Sequence, residues 1–524
     1  MSKKRERSLA ETSVLLGILT LGSYLTAVLL QVVLAAQFGA GDALDAFFVG
    51  NALPRIMVQW FLVSMSSIVL VPLLTEATSR YGEEEANRIS NTFTTMTAVF
   101  LLTVIVVGLV FAGPICRALA PGHTPEVHAL SVKILRVMLF NMVFAGIVAF
   151  CRGFLDSERR FLYPAIAQNA QLIVTVLFVW FGAAAWGIWS AAIGTVVGMV
   201  IAAAILMVPM SRTHFRLSLG LDLRDPIVRR ILSLFVPFLV LGAGAQINFL
   251  SDRWFASFLF EGAVSIITFA DAVVVPIMGV FSLSVTLPMF TVFSEHSAAE
   301  NAEAFRATVE SGIRSIAIIS LPVVAIFVAL REPTMRFLLA RGAFTTDQAL
   351  AVADQLLFLT PALVTWSFAV LMVYAIFSTQ DVKWCVKIIL IEIAANIVLD
   401  IILVRVMGLP GLALATSLAV TGSNIIIWTI FSRKIGGLDF AGLFPYTAKV
   451  GGASVLAGVV AGLVGAALGA AAGTSKTADF FVCVIAGGVS LAIYALLLTR
   501  FRVPQWLALR ERVARKLSGT KEPA

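Results

Sequence analysis

Long apolar runs alternate with short polar stretches along the whole of this 524-residue chain. Most runs hold about 20 residues or more, which is enough for a helix rising 1.5 Å per residue to cross about 30 Å of hydrocarbon. The pattern predicts about fourteen membrane spans, at 13–37, 45–75, 90–113, 129–151, 161–183, 187–210, 231–257, 264–293, 312–330, 350–378, 385–405, 411–432, 444–470 and 478–499.

An internal repeat organises these spans. The stretch Phe38–Pro54 places a glycine turn between the first two apolar runs, followed by an aspartate and then a proline. A weaker copy of this arrangement occurs about 222 residues later, at 261–276. Several landmarks at nearly one offset indicate a duplicated membrane unit, as many transporters have, although chance similarity between apolar segments is the alternative.

The repeat and the polar connections predict the domain organisation. We expect an all-α polytopic membrane protein built from two pseudo-repeated six-helix lobes and two extra helices. The last segment alternates apolar residues with arginines, which is typical of an amphipathic helix on the inner membrane surface. The predicted parts are an N-terminal lobe at 1–210, a cytoplasmic linker at 211–230, a C-terminal lobe at 231–434, a two-helix extension at 435–500 and a cytoplasmic tail at 501–524.

Composition and charge agree with a membrane protein. The chain is 59% hydrophobic and 13% charged, whereas soluble domains are about half apolar and about one-quarter charged. With both termini in the cytoplasm, 28 of the 38 lysines and arginines fall on the inner side, as the positive-inside rule requires. This bias accounts for the net charge of +8 without a nucleic-acid partner, and it indicates a multi-pass membrane protein with both termini in the cytoplasm.

Enzyme chemistry has no support in the sequence. The four cysteines, Cys116, Cys151, Cys385 and Cys483, are far apart and show neither disulfide nor metal-ligand spacing. No phosphate-binding glycine loop, metal-ligand cluster or nucleophile motif occurs, and the histidines lie in loops or at helix starts. We therefore expect a protein that is not an enzyme and has no organic cofactor.

Four ionisable residues within or at the mouths of the spans are candidate substrate ligands. Arg55 and Arg253 are the two cations placed well inside predicted spans, while Asp45 and Asp271 lie near the outer ends of spans two and eight. Ionisable groups at membrane depth usually face a cavity or a partner, and arginine binds phosphate oxygens in a bidentate manner. We expect an outward-facing cationic pocket for a phosphate group; the alternative is structural pairing with a carboxylate.

A second group of polar residues suits a small cation. Asn396 and Asp400 are four residues apart and share one face of span eleven, while Thr416 lies early in span twelve and Asp252 late in span seven. All four reach a similar depth and offer hard oxygen ligands, which favour Na⁺. A sodium site and a set of hydrogen bonds that pack the helices are both open interpretations.

Four motifs in order along the chain resemble the MurJ/MviN family of lipid II flippases, within the multidrug/oligosaccharidyl-lipid/polysaccharide exporter superfamily. They are FGAGDALDAFFVGNALP at 38–54, DRWFASFLFEGAVS at 252–265, LLARGAFT at 338–345 and FSTQDVKWCVKI at 377–388. The resemblance covers essentially the whole chain. It implies two lobes around a central cavity, alternating access, and movement of an undecaprenyl-pyrophosphate-linked peptidoglycan precursor to the outer leaflet.

Further expectations come from the same resemblance. It implies a groove for the lipid tail at the two extra helices, and a sodium site from spans seven, eleven and twelve, as some members have. It also leaves cell-wall synthesis proteins as candidate partners, beside the lipid-linked glycan and membrane lipid.

This sequence departs from the family at the cavity arginines. At the positions where the family usually carries arginine in spans one, two and eight, this chain has Tyr24, Leu30, Val58 and Ala272. Arg55 lies one turn from Val58 and is a candidate substitute. Three alternatives to lipid II transport are a flippase for an exopolysaccharide or O-antigen precursor, a transport-inactive scaffold, and a drug/cation antiporter.

The predicted topology can be tested by labelling introduced cysteines in intact cells. We expect a membrane-impermeant reagent to reach cysteines placed near Gly122 and Thr346, because both positions fall in outer loops. Positions near Gly82 and Gly436 should stay unlabelled. Labelling of the latter pair in intact cells would overturn the topology.

Overall fold

The computed structural model describes residues 3–58, 70–80, 82–213, 218, 229, 246–379, 383–473, 475–507 and 510–511. Regular secondary structure in this part of the chain is helical. The helices of the first half are α1 Lys3–Phe38, α2 Asp42–Ile56, α3 Val71–Arg80, α4 Glu83–Val110, α5 Ala112–Leu119, α6 Pro125–Ser157, α7 Leu162–Trp186 and α8 Trp189–Met210. A further helical segment covers 246–256.

The second half continues in the same manner, as predicted from the apolar runs. Its helices are α9 Ala263–Ala298, α10 Ala302–Ala329, α11 Arg331–Leu339, α12 Thr346–Phe358, α13 Thr360–Ser378, α14 Lys383–Met407, α15 Leu409–Lys434, α16 Phe440–Ala472 and α17 Lys476–Arg500.

Ten helices within the described residues are long and apolar enough to cross a membrane. They match ten of the predicted spans, including the first and both extra C-terminal helices. The four other predicted spans, at 45–75, 231–257, 264–293 and 385–405, each include residues outside the described ranges or side chains that are not described. The all-helical polytopic class is confirmed, and the count of fourteen stays a prediction.

The structure divides predicted span ten into two helices. Helix α12 ends at Phe358 and α13 begins at Thr360, with Pro361 in the first turn of α13. Proline lacks an amide hydrogen and disfavours helical geometry in the residue before it, so it is tolerated at a helix start rather than inside one. A continuous apolar run therefore contains a break that hydropathy alone does not reveal.

The described chain forms two compact units. The first contains Met1–Phe269 and Arg341–Thr345, and the second contains Ala270–Ala340 and Thr346–Ala524. The predicted lobe boundary at 211–230 falls almost entirely outside the described residues, as does most of the predicted amphipathic tail, so both stay predictions.

Helix α6 is the centre of the first unit. It packs against α2, α4 and α8, and α8 in turn pairs with α7, which also packs on α1. Close approach between α2 and α6 depends on Gly50, where a Cβ atom would lie only 2.7 Å from the carbonyl oxygen of Ser131. A larger residue at position 50 would therefore force these two helices apart.

Three glycine turns meet in the first unit. Gly39, Gly262 and Gly342 have φ values of +65°, +87° and +60°, a region that residues with a Cβ atom rarely adopt. The amide of Ala343 donates a 2.8 Å hydrogen bond to the carbonyl of Ala36, and a Cβ at Gly262 would collide with the carbonyl of Ala40. The turn at 341–345 is thereby fixed to the end of α1.

In the second unit, two tyrosines fasten the extra helices to α10. Tyr446 on α16 donates to the carbonyl of Arg314 at 3.1 Å, and Tyr494 on α17 donates to the carbonyl of Ile318 at 2.9 Å. Both phenol rings belong to a cluster of buried apolar side chains between these helices. A buried phenol needs such a partner, because an unsatisfied polar group in an apolar environment is costly.

An ion pair joins α11 to α17 in the same unit. The guanidinium of Arg336 donates from Nε and Nη2 to the carboxylate of Asp479, at 3.3 and 3.0 Å. Asp479 lies in the first turn of α17 and is buried. A forked contact of this kind has a fixed geometry, so it determines how the start of α17 sits against α11.

Candidate substrate and cation sites

Asp45 is placed by the first turn of α2 and is buried. Its carboxylate accepts hydrogen bonds from the backbone amides of Gly262 at 3.0 Å and Ser265 at 2.8 Å, and another from the Ser265 hydroxyl. These amides belong to the start of α9, where a helix has donors without internal partners and a favourable dipole for an anion. Asp45 therefore caps α9 from a position more than 200 residues away in sequence. Its predicted role as a substrate ligand stays a prediction.

One histidine lies beside this carboxylate, and a second lies near the first. Nε2 of His123 is 3.9 Å from Oδ2 of Asp45, and the rings of His123 and His128 are 6.2 Å apart. Burial, followed by the neighbouring His128, lowers the pKa of His123 to about 4, so His123 is neutral near neutral pH. Protonation of His123 is less favourable in the folded state than in the unfolded state. The contribution of His123 to the free energy of unfolding is therefore fully present above pH 6.5 and is lost as the pH falls from 6.5 towards 4.

Arg55 and Arg253 both lie on the ring of Phe249. The guanidinium carbon of Arg253 is 3.2 Å from the ring centroid and that of Arg55 is 4.0 Å from it. The two guanidinium carbons are thus no more than about 7 Å apart. Stacking on an aromatic face is favourable for guanidinium groups, particularly where water is excluded. The first unit therefore concentrates two positive charges around one aromatic side chain.

The two arginines differ in what they can offer a ligand. Arg253 is buried, donates to the carbonyl of Phe249 at 2.9 Å and contacts the Thr268 hydroxyl at 3.3 Å. Arg55 is half-buried on α2 and leaves more of its surface accessible. Asp45 lies ten residues earlier on the same helix, about 15 Å away. Asp271 is half-buried on α9 and belongs to the second unit.

The predicted cation ligands are divided between the units. Asp252 belongs to the first unit, whereas Asn396, Asp400 and Thr416 belong to the second. The latter three are all buried. Nδ2 of Asn396 on α14 donates to Oγ1 of Thr416 on α15 at 3.3 Å, and Asp400 lies one turn further along α14. The participation of Asp252 stays a prediction.

Asn396 provides the test of whether these residues fit a cation. Its carbonyl oxygen Oδ1 is fully buried and has no hydrogen-bond partner among the described residues. A buried acceptor without a donor is costly, and a bound cation would satisfy it. Amide, carboxylate and hydroxyl oxygens are hard ligands, so the donor set fits Na⁺. By contrast, no group of three His, Cys, Asp or Glu side chains suited to a metal ion occurs within the searched, described residues.

Three residues in or near these sites were not singled out by the sequence analysis. Phe249 is one of 38 phenylalanines, and its spacing from Arg253, one helical turn, was the available signal. Ser265 carried no signal, because its contact with Asp45 spans 220 residues. Glu392, four residues before Asn396 on α14, was visible as a carboxylate inside an apolar run.

The long apolar helices define the class as a polytopic helical membrane protein. Among solved structures, an inward-facing multidrug resistance MATE family transporter of the MOP superfamily matches with a TM-score of 0.67 and 17% identity, over 79% of this chain and 94% of that one. A lipid II flippase MurJ in an inward closed conformation matches with a TM-score of 0.77 and 20% identity, over 93% of this chain and 100% of that one.

The family follows from sequence. The model of the family described as "Lipid II flippase MurJ" matches residues 34–475, so the chain belongs to the MurJ family. A probable lipid II flippase MurJ of Synechocystis sp. (strain ATCC 27184 / PCC 6803 / Kazusa) is 26% identical over 475 residues, covering 87% of each chain. The resemblance of the four motifs is thereby confirmed.

The capping role of Asp45 can be tested by replacing it with asparagine. An asparagine at position 45 keeps the size but turns one acceptor oxygen into a donor that faces backbone amides. We expect Asp45→Asn to lower the free energy of unfolding by roughly 1.5–3 kcal/mol, as for a lost hydrogen bond to a charged group. Thermal unfolding of the purified protein measures the change.

Asp42→Asn is the matched control. Asp42 is exposed one turn earlier on α2, and partial burial, with the charges of Glu261 and Glu126, raises the pKa of Asp42. Removing its charge should leave stability unchanged or slightly increased. Equal losses in the two variants would contradict the capping role.

Proposed function

We propose that this protein is a flippase that moves lipid II, an undecaprenyl-pyrophosphate-linked peptidoglycan precursor, from the inner to the outer leaflet by alternating access. Membership of the MurJ family and the names of the relatives support the substrate. Within this chain, the main support is the pair of guanidinium groups that lie on Phe249. A transporter of a pyrophosphate lipid needs a cationic contact for the phosphate groups at membrane depth.

In this proposal, Arg55 binds the pyrophosphate directly. A guanidinium presents its hydrogen-bond donors in a fixed fork that matches two phosphate oxygens, and the bond is strengthened by charge. Arg253 holds Phe249, and the ring holds the guanidinium of Arg55 in position. Arg253 also adds a second positive charge within about 7 Å, which favours a ligand with more than one negative charge.

The reaction needs no bond to be made or broken in the lipid. Binding to one conformation and release from the other are sufficient, provided that the substrate binds the two with different affinity. The chain accordingly acts as a transporter and not as an enzyme, in the bacterial inner membrane. Both termini are proposed to be cytoplasmic, on the support of the lysine and arginine distribution.

The α14–α15 group is proposed to bind Na⁺ through Asn396, Asp400 and Thr416. The buried and unpartnered oxygen of Asn396 supports this proposal. A bound sodium ion would place positive charge beside the buried carboxylate of Asp400. Binding Na⁺ more tightly in one conformation would shift the equilibrium between conformations towards it.

The function is tested by rescue of bacterial cells depleted of their own lipid II flippase. Growth on expression of this chain is expected, together with lipid II movement to the outer leaflet. Failure to grow despite normal amounts of folded protein in the membrane would contradict lipid II as the substrate.

The role of Arg55 is tested in the same cells. Arg55→Ala should weaken substrate binding by roughly 1.5–3 kcal/mol, or about 10- to 100-fold, because it removes a charge-assisted hydrogen bond. Arg55→Glu should abolish growth, and Arg55→Lys should retain part of it, because lysine keeps the charge without the fork. Arg80→Ala, at an exposed arginine, serves as the control. Normal transport by both Arg55→Ala and Arg55→Glu would refute this assignment.

The sodium site predicts a sodium-specific gain in stability. Thermal unfolding in Na⁺ and in K⁺ at equal ionic strength should differ for the unmodified protein, since a ligand that binds the folded state stabilises it by about 2.7 kcal/mol at 100 times its Kd. Asp400→Asn should remove the difference while the protein still folds. Asp354→Asn, at an exposed carboxylate of the same unit, should keep it. Identical unfolding of the unmodified protein in the two salts would count against the site.

A further inference from the structure

Glu392 is a carboxylate inside the apolar sequence of α14, with isoleucine on either side. It lies nine residues into a helix of 25, about 14 Å from the start, and thus near the middle of a predicted span. It is half-buried, and its contact is with α15. Carboxylates at such depth are rare, and they mark ion paths or proton relays more often than simple packing sites.

The partner of Glu392 is the hydroxyl group of Ser423. Oγ of Ser423 lies within hydrogen-bond distance of Oε2 of Glu392 and also 3.0 Å from the carbonyl oxygen of Val420. A serine hydroxyl has one hydrogen and can therefore donate to one of these two oxygens at a time. Both contacts are made together only if the carboxyl group is protonated and donates to Ser423, while Ser423 donates to Val420.

The ionised form has a satisfactory arrangement as well. Ser423 then turns its hydrogen towards the carboxylate of Glu392 and releases the carbonyl of Val420. That carbonyl keeps a hydrogen bond from Nδ2 of Asn424 at 2.9 Å, so it is not left without a donor. The same atoms thus support two protonation states that differ in the direction of one hydroxyl group.

The charged groups around Glu392 are few. Helix α15, which packs against α14, has no ionisable side chain between Leu409 and Ser432. On α14 itself, Lys387 is exposed one and a half turns earlier, and Asp400 is buried eight residues later, about 12 Å away. Ser423 is consequently the group that responds most directly to the charge of Glu392.

We propose that Glu392 is an intramembrane proton-binding site, in which the carboxyl group takes up and releases a proton while the Ser423 hydroxyl reverses between acceptor and donor. The proton comes from and returns to water, and no other bond changes. The site lies within the second unit and adds proton binding to the proposed lipid transport. Loss of the proton places a negative charge between α14 and α15, which makes their packed arrangement less favourable.

Infrared difference spectroscopy of the full-length protein in lipid vesicles tests the site. Changing from acidic to alkaline buffer should remove an absorption band of a protonated carboxyl group in the unmodified protein. The band change should be missing in Glu392→Gln and retained in the control variant Glu310→Gln. The carboxylate of Glu310 lies near the surface of the same unit, where it accepts a hydrogen bond from the backbone amide of Asp439. A Glu392→Gln spectrum identical to that of the unmodified protein would overturn the proposal.

A hydrophobic carbodiimide gives a second readout that requires no variant. This reagent modifies protonated carboxyl groups in apolar surroundings, and mass spectrometry locates the product. Labelling of Glu392 is expected to fall about tenfold per pH unit once the group ionises. Labelling that is absent or independent of pH would refute the site, because a permanently neutral packing residue gives no titration.

Ser423→Ala then tests the partner. Without the hydroxyl group the labelling profile should move along the pH axis, and an unchanged profile would rule out Ser423. Neither readout needs lipid II, so the proton site and the proposed transport of lipid II can fail separately.

Discussion

The carboxylate of Asp45 links two helices whose starts are separated by more than 200 residues. It satisfies backbone amides at the start of α9, which would otherwise be buried without a partner. The glycine at position 262 lets the start of α9 lie this close to the turn before α2, because a Cβ atom there would collide with the carbonyl of Ala40. The first unit therefore depends on one buried anion placed opposite one helix start.

The same constraint explains the arrangement of the arginines. A cation at membrane depth requires a favourable surrounding, and in the first unit the aromatic ring of Phe249 provides part of it for both Arg55 and Arg253. Arg253 is further engaged by a backbone carbonyl and a hydroxyl group. One arginine is thus held as part of the framework while the other retains the accessibility that a ligand needs.

The sequence predicted well the features that depend on a single helix. Apolar runs predicted the helices, and the depths predicted for Asn396 and Thr416 are consistent with the hydrogen bond that joins these two residues. The sequence did not predict the contacts between segments that are distant along the chain. The capping of α9 by Asp45 and the shared contact of two arginines with Phe249 arise from packing between segments about 200 residues apart. The hydropathy pattern also predicted α12 and α13 as one span, because the residue at the break, Leu359, is as apolar as its surroundings.

The ion pair between Arg336 and Asp479 has a consequence for biogenesis. The two residues are 143 positions apart, and Asp479 is at the start of α17. During synthesis, Arg336 leaves the ribosome long before Asp479 does. At about 5–20 residues per second, the interval is on the order of 10 seconds. Throughout that time the guanidinium group of Arg336 on α11 lacks the carboxylate of Asp479 as a partner. The second unit therefore reaches its final packing only when α17 inserts, and cotranslational assembly ends with the closing of this contact.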